Sequence, residues 1–297
     1  MGIDRLIKIF LVVFISLCIV NLTYGESIKI KYNSSIYSDD RGSGLRLPEG
    51  VACNDNILLI ADTGNSRLLK YTIENGVLKG GAEIKIPELT FPQRVEIGAS
   101  NEIFIFDGKL RKIARLSPDG KFKSYLSFEG SVVPKSFKID RFGNIYVLDI
   151  FNERVLVLNQ EGNQIRSIEF PERYGFISDL AIDPIGNVFL LDSTLAVIYI
   201  ASKESKSFSP FKNGLNDYIN FPSNITIDAK GVIYLSDLAG GTISVIGQDG
   251  TFRGHQSGYG WKEGLLRYPS QICINDKGDF FVADRENNRV QMFIVIR

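Results

Sequence analysis

A short apolar segment that ends in aspartate recurs six times along the chain, at intervals of 42–47 residues. The six aspartates are Asp62, Asp107, Asp149, Asp192, Asp237 and Asp284. Self-similarity at one spacing is typical of repeat architectures, and a unit of about 45 residues has room for four short strands. The repeat constrains the fold more than any other feature, because every unit must adopt the same local structure.

Proline, glycine and asparagine mark the boundaries inside each unit. A proline stands fourteen or fifteen residues before the aspartate in five units, and Ile177 replaces it in the fourth. Glycine or asparagine stands six residues before the aspartate, and these residues accept the positive φ angles of tight hairpin turns. A third β-rich run follows the aspartate, and a second turn, such as Asn75-Gly76 or Asp249-Gly250, precedes a fourth run. The pattern predicts four antiparallel strands per unit, which is the content of a propeller blade.

The two ends of the chain indicate how the ring closes. The sixth unit supplies three strands, the last at 290–296, and lacks a fourth. A strand-like stretch at 27–32 precedes the first unit. Since closure removes exposed strand edges, we expect this N-terminal strand to complete the last blade. The predicted fold is all-β, a six-bladed β-propeller that forms one domain over residues 26–297.

The third unit, from Pro134 to Arg154, places Asp140, Gly143, Asp149 and Asn152 at the spacing of a known repeat. It resembles the NHL repeat of six-bladed propellers. The first and sixth units keep the final pair, as Asn65 with Arg67 and Asn287 with Arg289. The other three units depart there, with Leu110, Leu195 and Gly240 for Asn and Lys112, Val197 and Thr242 for Arg. The resemblance covers nearly all of the predicted domain and implies a fold, since one fold hosts many functions.

The repeated aspartates are interpreted as turn holders whose carboxylates accept backbone N–H groups. Arg67, Arg154 and Arg289 lie five residues after their aspartates. We expect each to pair with its aspartate across the turn, contributing about 0–1 kcal/mol if the pair is exposed.

Residues 1–25 have the pattern of a secretory signal. Arg5 and Lys8 precede an apolar run at 9–20, which is short for a membrane span, and small residues lead up to Gly25. We expect cleavage after Gly25 and a secreted or periplasmic protein with no membrane span in the mature chain. One alternative is an uncleaved segment that tethers the protein to a membrane. Another is lipid attachment at Cys18, which the bulky Leu17 disfavours.

Composition excludes several classes of function. The formal net charge is zero and there is one histidine. Balanced charge argues against nucleic-acid binding, and a single histidine excludes multi-histidine metal sites. His255 lacks an identifiable nucleophile and orienting partner, so it is not proposed as a catalytic base. Cys53 and Cys273 are expected to be free thiols, although a bridge between neighbouring blades is geometrically possible. We expect a monomer without a cofactor.

A candidate site lies two residues after each proline position. If these residues ring the channel mouth, they form a polar, asymmetric collar able to bind a polar ligand or a peptide terminus. Besides Gly50, the collar contains Arg94, Ser136, Asp179, Asn224 and Gln271. The alternative is that they only satisfy buried backbone groups and ordered water. Tyr259 and Trp261, in the glycine-rich connector 254–265, are predicted recognition anchors, or else they cover the edge of a blade.

These features predict an exported, non-enzymatic module that binds a protein, a peptide or a small polar ligand through its linker face and channel mouth. The alternative is a divalent-metal-dependent hydrolase, lactonase or lyase with its site in the channel. Some six-bladed propeller enzymes, which this chain resembles in architecture, hold a divalent ion, often calcium, in the channel. Asp179 and Asn224 are the first candidate calcium ligands, with Glu49 and Gln271 as additions, while Arg94 would oppose a cation.

Overall fold

The computed structural model describes residues 28–297, which form six four-stranded antiparallel sheets arranged as the blades of a propeller. The chain starts with β1 (Lys29–Ile36) and then builds five blades from consecutive strands. Blade 1 contains β2 (Gly50–Cys53), β3 (Ile57–Asp62), β4 (Arg67–Glu74) and β5 (Val77–Ile84). Blade 2 contains β6 (Pro92–Ile97), β7 (Ile103–Asp107), β8 (Lys112–Leu116) and β9 (Phe122–Tyr125). Blade 3 contains β10 (Pro134–Ile139), β11 (Ile145–Asp149), β12 (Arg154–Leu158) and β13 (Gln164–Glu169).

The remaining blades follow the same order. Blade 4 contains β14 (Ile177–Ile182), β15 (Val188–Asp192), β16 (Val197–Ala201) and β17 (Ser209–Lys212). Blade 5 contains β18 (Pro222–Ile227), β19 (Ile233–Asp237), β20 (Thr242–Ile246) and β21 (Phe252–Ser257). Blade 6 contains β22 (Pro269–Ile274), β23 (Asp279–Asp284) and β24 (Arg289–Ile296), and β1 pairs antiparallel with β24 as its fourth strand. The predicted six-bladed propeller and its closure by the N-terminal strand are confirmed.

The apolar core is divided among the six junctions between neighbouring blades. One cluster joins Leu58 and Ile60 of blade 1 to Phe281 and Met292 of blade 6, and each other junction has its own cluster. The second strand of each blade packs on both faces, which explains its unbroken apolar run. We call the face where the first strands begin the upper face, and the opposite face the lower face.

The repeated aspartates hold the upper face together. All six are buried, and each accepts a backbone N–H from the connector that leads into its own blade. In blade 6, Asp284 accepts the Arg267 N–H at 2.7 Å and is bound by Arg289 at 2.6 Å. The predicted arginine pairs are formed, and also join Arg67 to Asp62 at 2.7 Å and Arg154 to Asp149 at 3.2 Å. Arg289 is almost wholly buried and also donates to two connector carbonyls, so it is not an exposed surface pair.

The three blades that lack the Asn and Arg provide other hydrogen-bond donors to their aspartates. Asp107 accepts the N–H groups of Thr90 and Phe91 at 2.6 and 2.9 Å, and that of Leu110 at 2.9 Å. A second connector N–H thus replaces the missing side-chain donors, and the same holds for blades 4 and 5. Burial alone would raise the pKa of Asp107, but these N–H donors outweigh it and lower the pKa.

The first hairpin of blade 1 departs from the repeat. The turn between the paired residues Cys53 and Leu58 holds one residue fewer than the turn between Ile139 and Ile145 in blade 3. This places Pro48 fourteen rather than fifteen residues before its aspartate. Four glycines and Asn101 adopt positive φ at the equivalent turn position, whereas Asn56 does not. The prediction was therefore wrong at Asn56, because the shorter turn needs no left-handed residue there.

A disulfide joins Cys53 on β2 to Cys273 on β22, with the two Cα atoms 5.8 Å apart. The expectation of free thiols was wrong. First strands of neighbouring blades converge near the axis, so the distance there is far below the separation of about 10 Å between packed sheets. The bridge lies at the junction of blades 6 and 1, where β1 also closes the ring.

Several expectations fall outside residues 28–297. The predicted signal at 1–25, the cleavage after Gly25 and the domain start at residue 26 stay predictions, because residues 1–27 are not among those described. Within the described part, no helix combines the length and apolarity that crossing a membrane requires.

Removing the disulfide is expected to lower the free energy of unfolding by about 2–5 kcal/mol, because the bridge constrains a long loop of the unfolded chain. Urea unfolding of a Cys53→Ala/Cys273→Ala variant against oxidised wild type measures this loss, and reduced wild type should match the variant. Recovery of Cys53 and Cys273 as free thiols from a non-reducing digest would contradict the bridge.

Candidate functional site

Four residues of the predicted collar form a belt of hydrogen bonds at the axis that runs from blade 3 through blades 4, 5 and 6 to blades 1 and 2. Asp179 of blade 4 accepts from Ser136 of blade 3 at 2.5 Å, and from the Asn224 side chain and the Ile225 N–H of blade 5. Asn224 in turn accepts the Ile272 N–H of blade 6 at 2.9 Å. Each of these side chains therefore forms a hydrogen bond with a polar group of the next blade.

Gln271 continues the belt across the ring junction. It accepts the N–H groups of Val51 in blade 1 and Val95 in blade 2, at 3.3 and 3.2 Å, and donates to the Val95 carbonyl at 3.0 Å. It reaches two blades away because blade 1 has Gly50 at the collar position. A Cβ on Gly50 would lie 3.2 Å from the Gln271 side-chain oxygen and 2.9 Å from the Gln93 carbonyl. Glycine is required there for close approach.

Burial of the belt divides the channel into an upper and a lower part. Ser136, Asp179, Asn224 and Gln271 are each at most 1% exposed. Their polar groups are aimed at one another and at neighbouring backbone. Arg94 differs, because it lies beside the belt and also lines the space above it. The role of these five residues in binding stays a prediction.

The collar residues do not fit a calcium ion. Calcium needs six to eight oxygen ligands at about 2.3–2.6 Å. Both carboxylate oxygens of Asp179, and the carboxamide oxygens of Asn224 and Gln271, already accept hydrogen bonds. Glu49 is engaged by Gln93 and Arg285. The Arg94 guanidinium lies 3.6 Å from Asp179 and would repel a cation.

A cavity of about 260 Å³ opens above the collar on the upper face, and all six blades contribute to its wall. Much of the lining comes from the residue directly after the proline position. These residues are Glu49, Lys135, Ser178, Ser223 and Ser270. Phe176, Phe221 and Leu238 supply apolar surface, while Arg94 and Arg285 add positive charge. We call this space the upper cavity.

Sequence reasoning missed Phe176 and Phe221, which end the connectors one residue before the first strands. It also missed Lys135, because it placed the mouth one residue too deep. The ladder between first and second strands shifts at this point, as between Pro134 and Ser136 in blade 3. The intervening residue leaves the ladder, as in a β-bulge, which can re-aim a side chain at a rim. The available signal was that this position is polar in all six units.

Below the collar lies a largely buried ion pair that sequence analysis also missed. Glu96 of blade 2 and Lys138 of blade 3 are 2.6 Å apart, and Gln271 donates to Glu96 at 2.9 Å. Burial raises the pKa of Glu96, and the Lys138 ammonium offsets this only in part. The pair lines a lower cavity of about 220 Å³ whose other walls are largely isoleucine, and a wider space of about 400 Å³ continues to the lower face.

The connector before blade 6 presents its aromatic residues to solvent. Trp261 is 72% exposed and Tyr259 is 54% exposed, so neither covers the edge of a blade. The connector is fixed from beneath, because Asn287 donates to the Gly260 carbonyl at 2.9 Å. His255 was placed in this connector from the sequence, but it lies on β21 with Nδ1 3.1 Å from the Ser244 hydroxyl.

Most of the exposed large apolar side chains of residues 28–297 lie on the upper face. They occupy the turns after the aspartates and the connectors before the first strands. The upper-face residues are Tyr37, Leu110, Ile150, Phe151, Phe176, Leu195, Tyr218, Phe221, Tyr259, Trp261 and Tyr268. Exposed apolar surface concentrated on one face is typical of an interaction site.

Comparisons with known proteins agree with this architecture. A profile of the NHL repeat matches residues 266–293, and no curated protein matches the chain. A gluconolactonase from Xanthomonas campestris is 14% identical with a TM-score of 0.67, covering 90% of this chain and 91% of that one. Virginiamycin B lyase from Staphylococcus aureus is 14% identical with a TM-score of 0.61, covering 91% and 100%. A chain of the nidogen–laminin complex is 16% identical with a TM-score of 0.62, covering 81% and 95%. At these identities the likeness establishes the fold alone.

Removing one partner of the Glu96–Lys138 pair is expected to lower the free energy of unfolding more than removing both partners. Glu96→Gln leaves the Lys138 ammonium without its partner and should lower the free energy of unfolding by about 3 kcal/mol. The double variant Glu96→Leu/Lys138→Met should regain most of that loss, since it removes both charges. Urea unfolding of the single and the double variant tests the coupling, and a loss in the double variant as large as that in Glu96→Gln would contradict it.

Proposed function

Because residues 28–297 form a six-bladed β-propeller of the NHL-repeat type, we propose that the chain is a binding module that docks a protein or peptide on its upper face. The observation that carries the proposal is the concentration of exposed aromatic side chains on the upper face, two of which, Phe176 and Phe221, line the upper cavity. Aromatic side chains supply large contact area at low entropic cost, and they dominate binding energy at interfaces.

The geometry of the connector supports this proposal. Trp261 projects from a segment whose backbone is held at Gly258 and Gly260 by hydrogen bonds with Leu266, at 2.9 and 3.0 Å. An exposed indole on a fixed backbone is preorganised, so little ordering entropy is lost when a partner binds. A propeller chain in the nidogen–laminin complex belongs to a protein–protein assembly, which is consistent with docking by such a disc.

The alternative is a metal-dependent hydrolase, lactonase or lyase. The similar structures include a gluconolactonase and a virginiamycin B lyase. Such chemistry would place a cation in the channel. The residues at that position are engaged with one another, and Arg94 adds a positive charge, so we derive no catalytic step there. Within residues 28–297, no group of three or more His, Cys, Asp or Glu side chains has the geometry of a metal site.

Trp261→Ala is expected to weaken binding of peptides selected on the full-length protein from a displayed random library by at least tenfold, with the melting temperature unchanged. Phe142→Ala is the matched control, because Phe142 is 55% exposed on the lower face and should leave affinity unaltered. Failure to enrich any peptide, or binding that depends on Phe142 and not on Trp261, would overturn the proposal.

Calcium at millimolar concentration should leave the melting temperature of the full-length protein unchanged. The reason is that the collar oxygens are occupied and Arg94 opposes a cation. Thermal unfolding with calcium or with a chelator makes the comparison. A rise in melting temperature with calcium that disappears in Asp179→Asn would favour the enzyme alternative instead.

A further inference from the structure

The charges around the upper cavity are only partly paired. Glu49 accepts from Arg285 at 3.2 Å through one carboxylate oxygen and from Gln93 at 3.0 Å through the other. Arg285 also binds Glu286 at 2.8 Å. The acid of the cavity wall and its nearest arginine are therefore satisfied by each other and by their neighbours. Two cations, Arg94 and Lys135, are left to face the cavity.

Arg94 carries an N–H group that nothing in residues 28–297 satisfies. Its Nη1 atom is buried and forms no hydrogen bond, and Asp179 at 3.6 Å is too distant to accept one. The Asp179 oxygens are already committed to the collar. Since a buried donor without an acceptor is unfavourable, an acceptor that enters the cavity and reaches this group would stabilise the protein.

Lys135 stands in a similar position on the neighbouring blade 3. Its ammonium lies over the Phe176 ring, 5.5 Å from the centroid, and pairs with no carboxylate in residues 28–297. Burial lowers the pKa of Lys135, and the positive charge of Arg94 lowers it further, with Asp179 and Glu49 opposing the shift. Two cations that face one small cavity, neither of them hydrogen-bonded to a carboxylate of residues 28–297, favour an anion between them.

The remaining surface of the cavity selects the kind of anion. Phe176, Phe221 and Leu238 provide an apolar wall, while the Ser270 hydroxyl is already committed to the Glu49 carbonyl at 2.7 Å. A volume of about 260 Å³ admits a group the size of a single amino-acid residue. An arginine guanidinium matches the planar geometry of a carboxylate.

We propose that the upper cavity binds a carboxylate attached to a small apolar group, with the carboxylate between Arg94 and Lys135 and the apolar group against Phe176 and Phe221. This inference rests on the proposed docking function and names the chemistry that its cavity recognises. The carboxylate has two possible sources, a small free acid or the C-terminal residue of a peptide docked on the upper face.

Calorimetric titration of the full-length protein tests the proposal with four probes. N-acetylleucine is compared with N-acetylleucine amide, and a pentapeptide ending in leucine is compared with its C-terminal amide. We expect each free acid to bind at least tenfold more tightly than its amide. Tighter binding of the pentapeptide than of N-acetylleucine identifies a peptide terminus as the source, and the reverse order identifies a small acid. Equal affinity of acid and amide, or no binding of any probe, would overturn the proposal.

Variants locate the site. Lys135→Met should weaken binding of the acid about tenfold, and Arg94→Met at least as much. Lys109→Met removes an exposed lysine from another part of the upper face and should leave affinity unchanged. Lys135→Met keeps the collar intact, so it decides the matter even if Arg94→Met fails to fold. Wild-type affinity in Lys135→Met would place the carboxylate elsewhere.

The pH dependence gives a readout that a purely structural role would not move. Binding needs the protonated Lys135 ammonium, whose pKa lies below the usual 10.5. Affinity for the acid should therefore fall as the pH rises through the lowered pKa of Lys135. Lys135→Met should flatten this dependence of affinity on pH. If no carboxylate binds while selected peptides still depend on Trp261, the cavity assignment fails and the docking function stands. If neither holds, both fail.

Discussion

The buried aspartate at the end of each second strand is the interaction on which the rest of the propeller depends. Its carboxylate joins the turn that follows the strand to the connector that precedes the blade. A buried carboxylate without donors is strongly unfavourable, so every blade must bring backbone N–H groups to it. In blades 4 and 5 two of these N–H groups belong to Phe176 and Phe221, which accordingly have fixed positions in the wall of the upper cavity. The hydrogen bond to the aspartate recurs in every blade, and in blades 4 and 5 it also positions the side chains that are particular to the cavity.

Ring closure and the collar depend on each other. The collar draws one residue from each blade, so its hydrogen-bond distances hold only if the sixth blade meets the first. Two features secure that junction, the pairing of β1 with β24 and the disulfide between Cys53 and Cys273. Gln271 then crosses it, passing over Gly50 to reach Val95 in blade 2. A ring opened at this junction would leave buried carboxamide and backbone groups without partners, which links closure to the polar interior as well as to the apolar one.

The fold could be predicted from the sequence because its signals are local and repeat six times. Aspartate, proline and turn residues each report a backbone requirement that is the same in every blade. The collar positions could be located for the same reason. Whether their side chains face solvent or bond to one another, as Asp179 does to Asn224, could not be predicted, because it depends on how closely the six first strands converge. Lys135 was missed since a shift in the ladder, which no particular residue type marks, turns its position toward the cavity. The disulfide was missed because strand parity gives the face of a sheet and not the distance between two sheets near the axis.

The pairing of charges inside the channel separates structural groups from candidate functional ones. This chain has equal numbers of acidic and basic residues, so it does not lack carboxylates. Two charge pairs of the channel are close, Glu96 with Lys138 at 2.6 Å and Glu49 with Arg285 at 3.2 Å. Arg94 lies 3.6 Å from Asp179 and forms no hydrogen bond with it, and Lys135 pairs with no carboxylate of residues 28–297, so each remains partly desolvated. Cations that are desolvated without a hydrogen-bonded partner destabilise the fold. When they lie beside a cavity that is open to one face, this arrangement is typical of a site organised around a ligand rather than around stability.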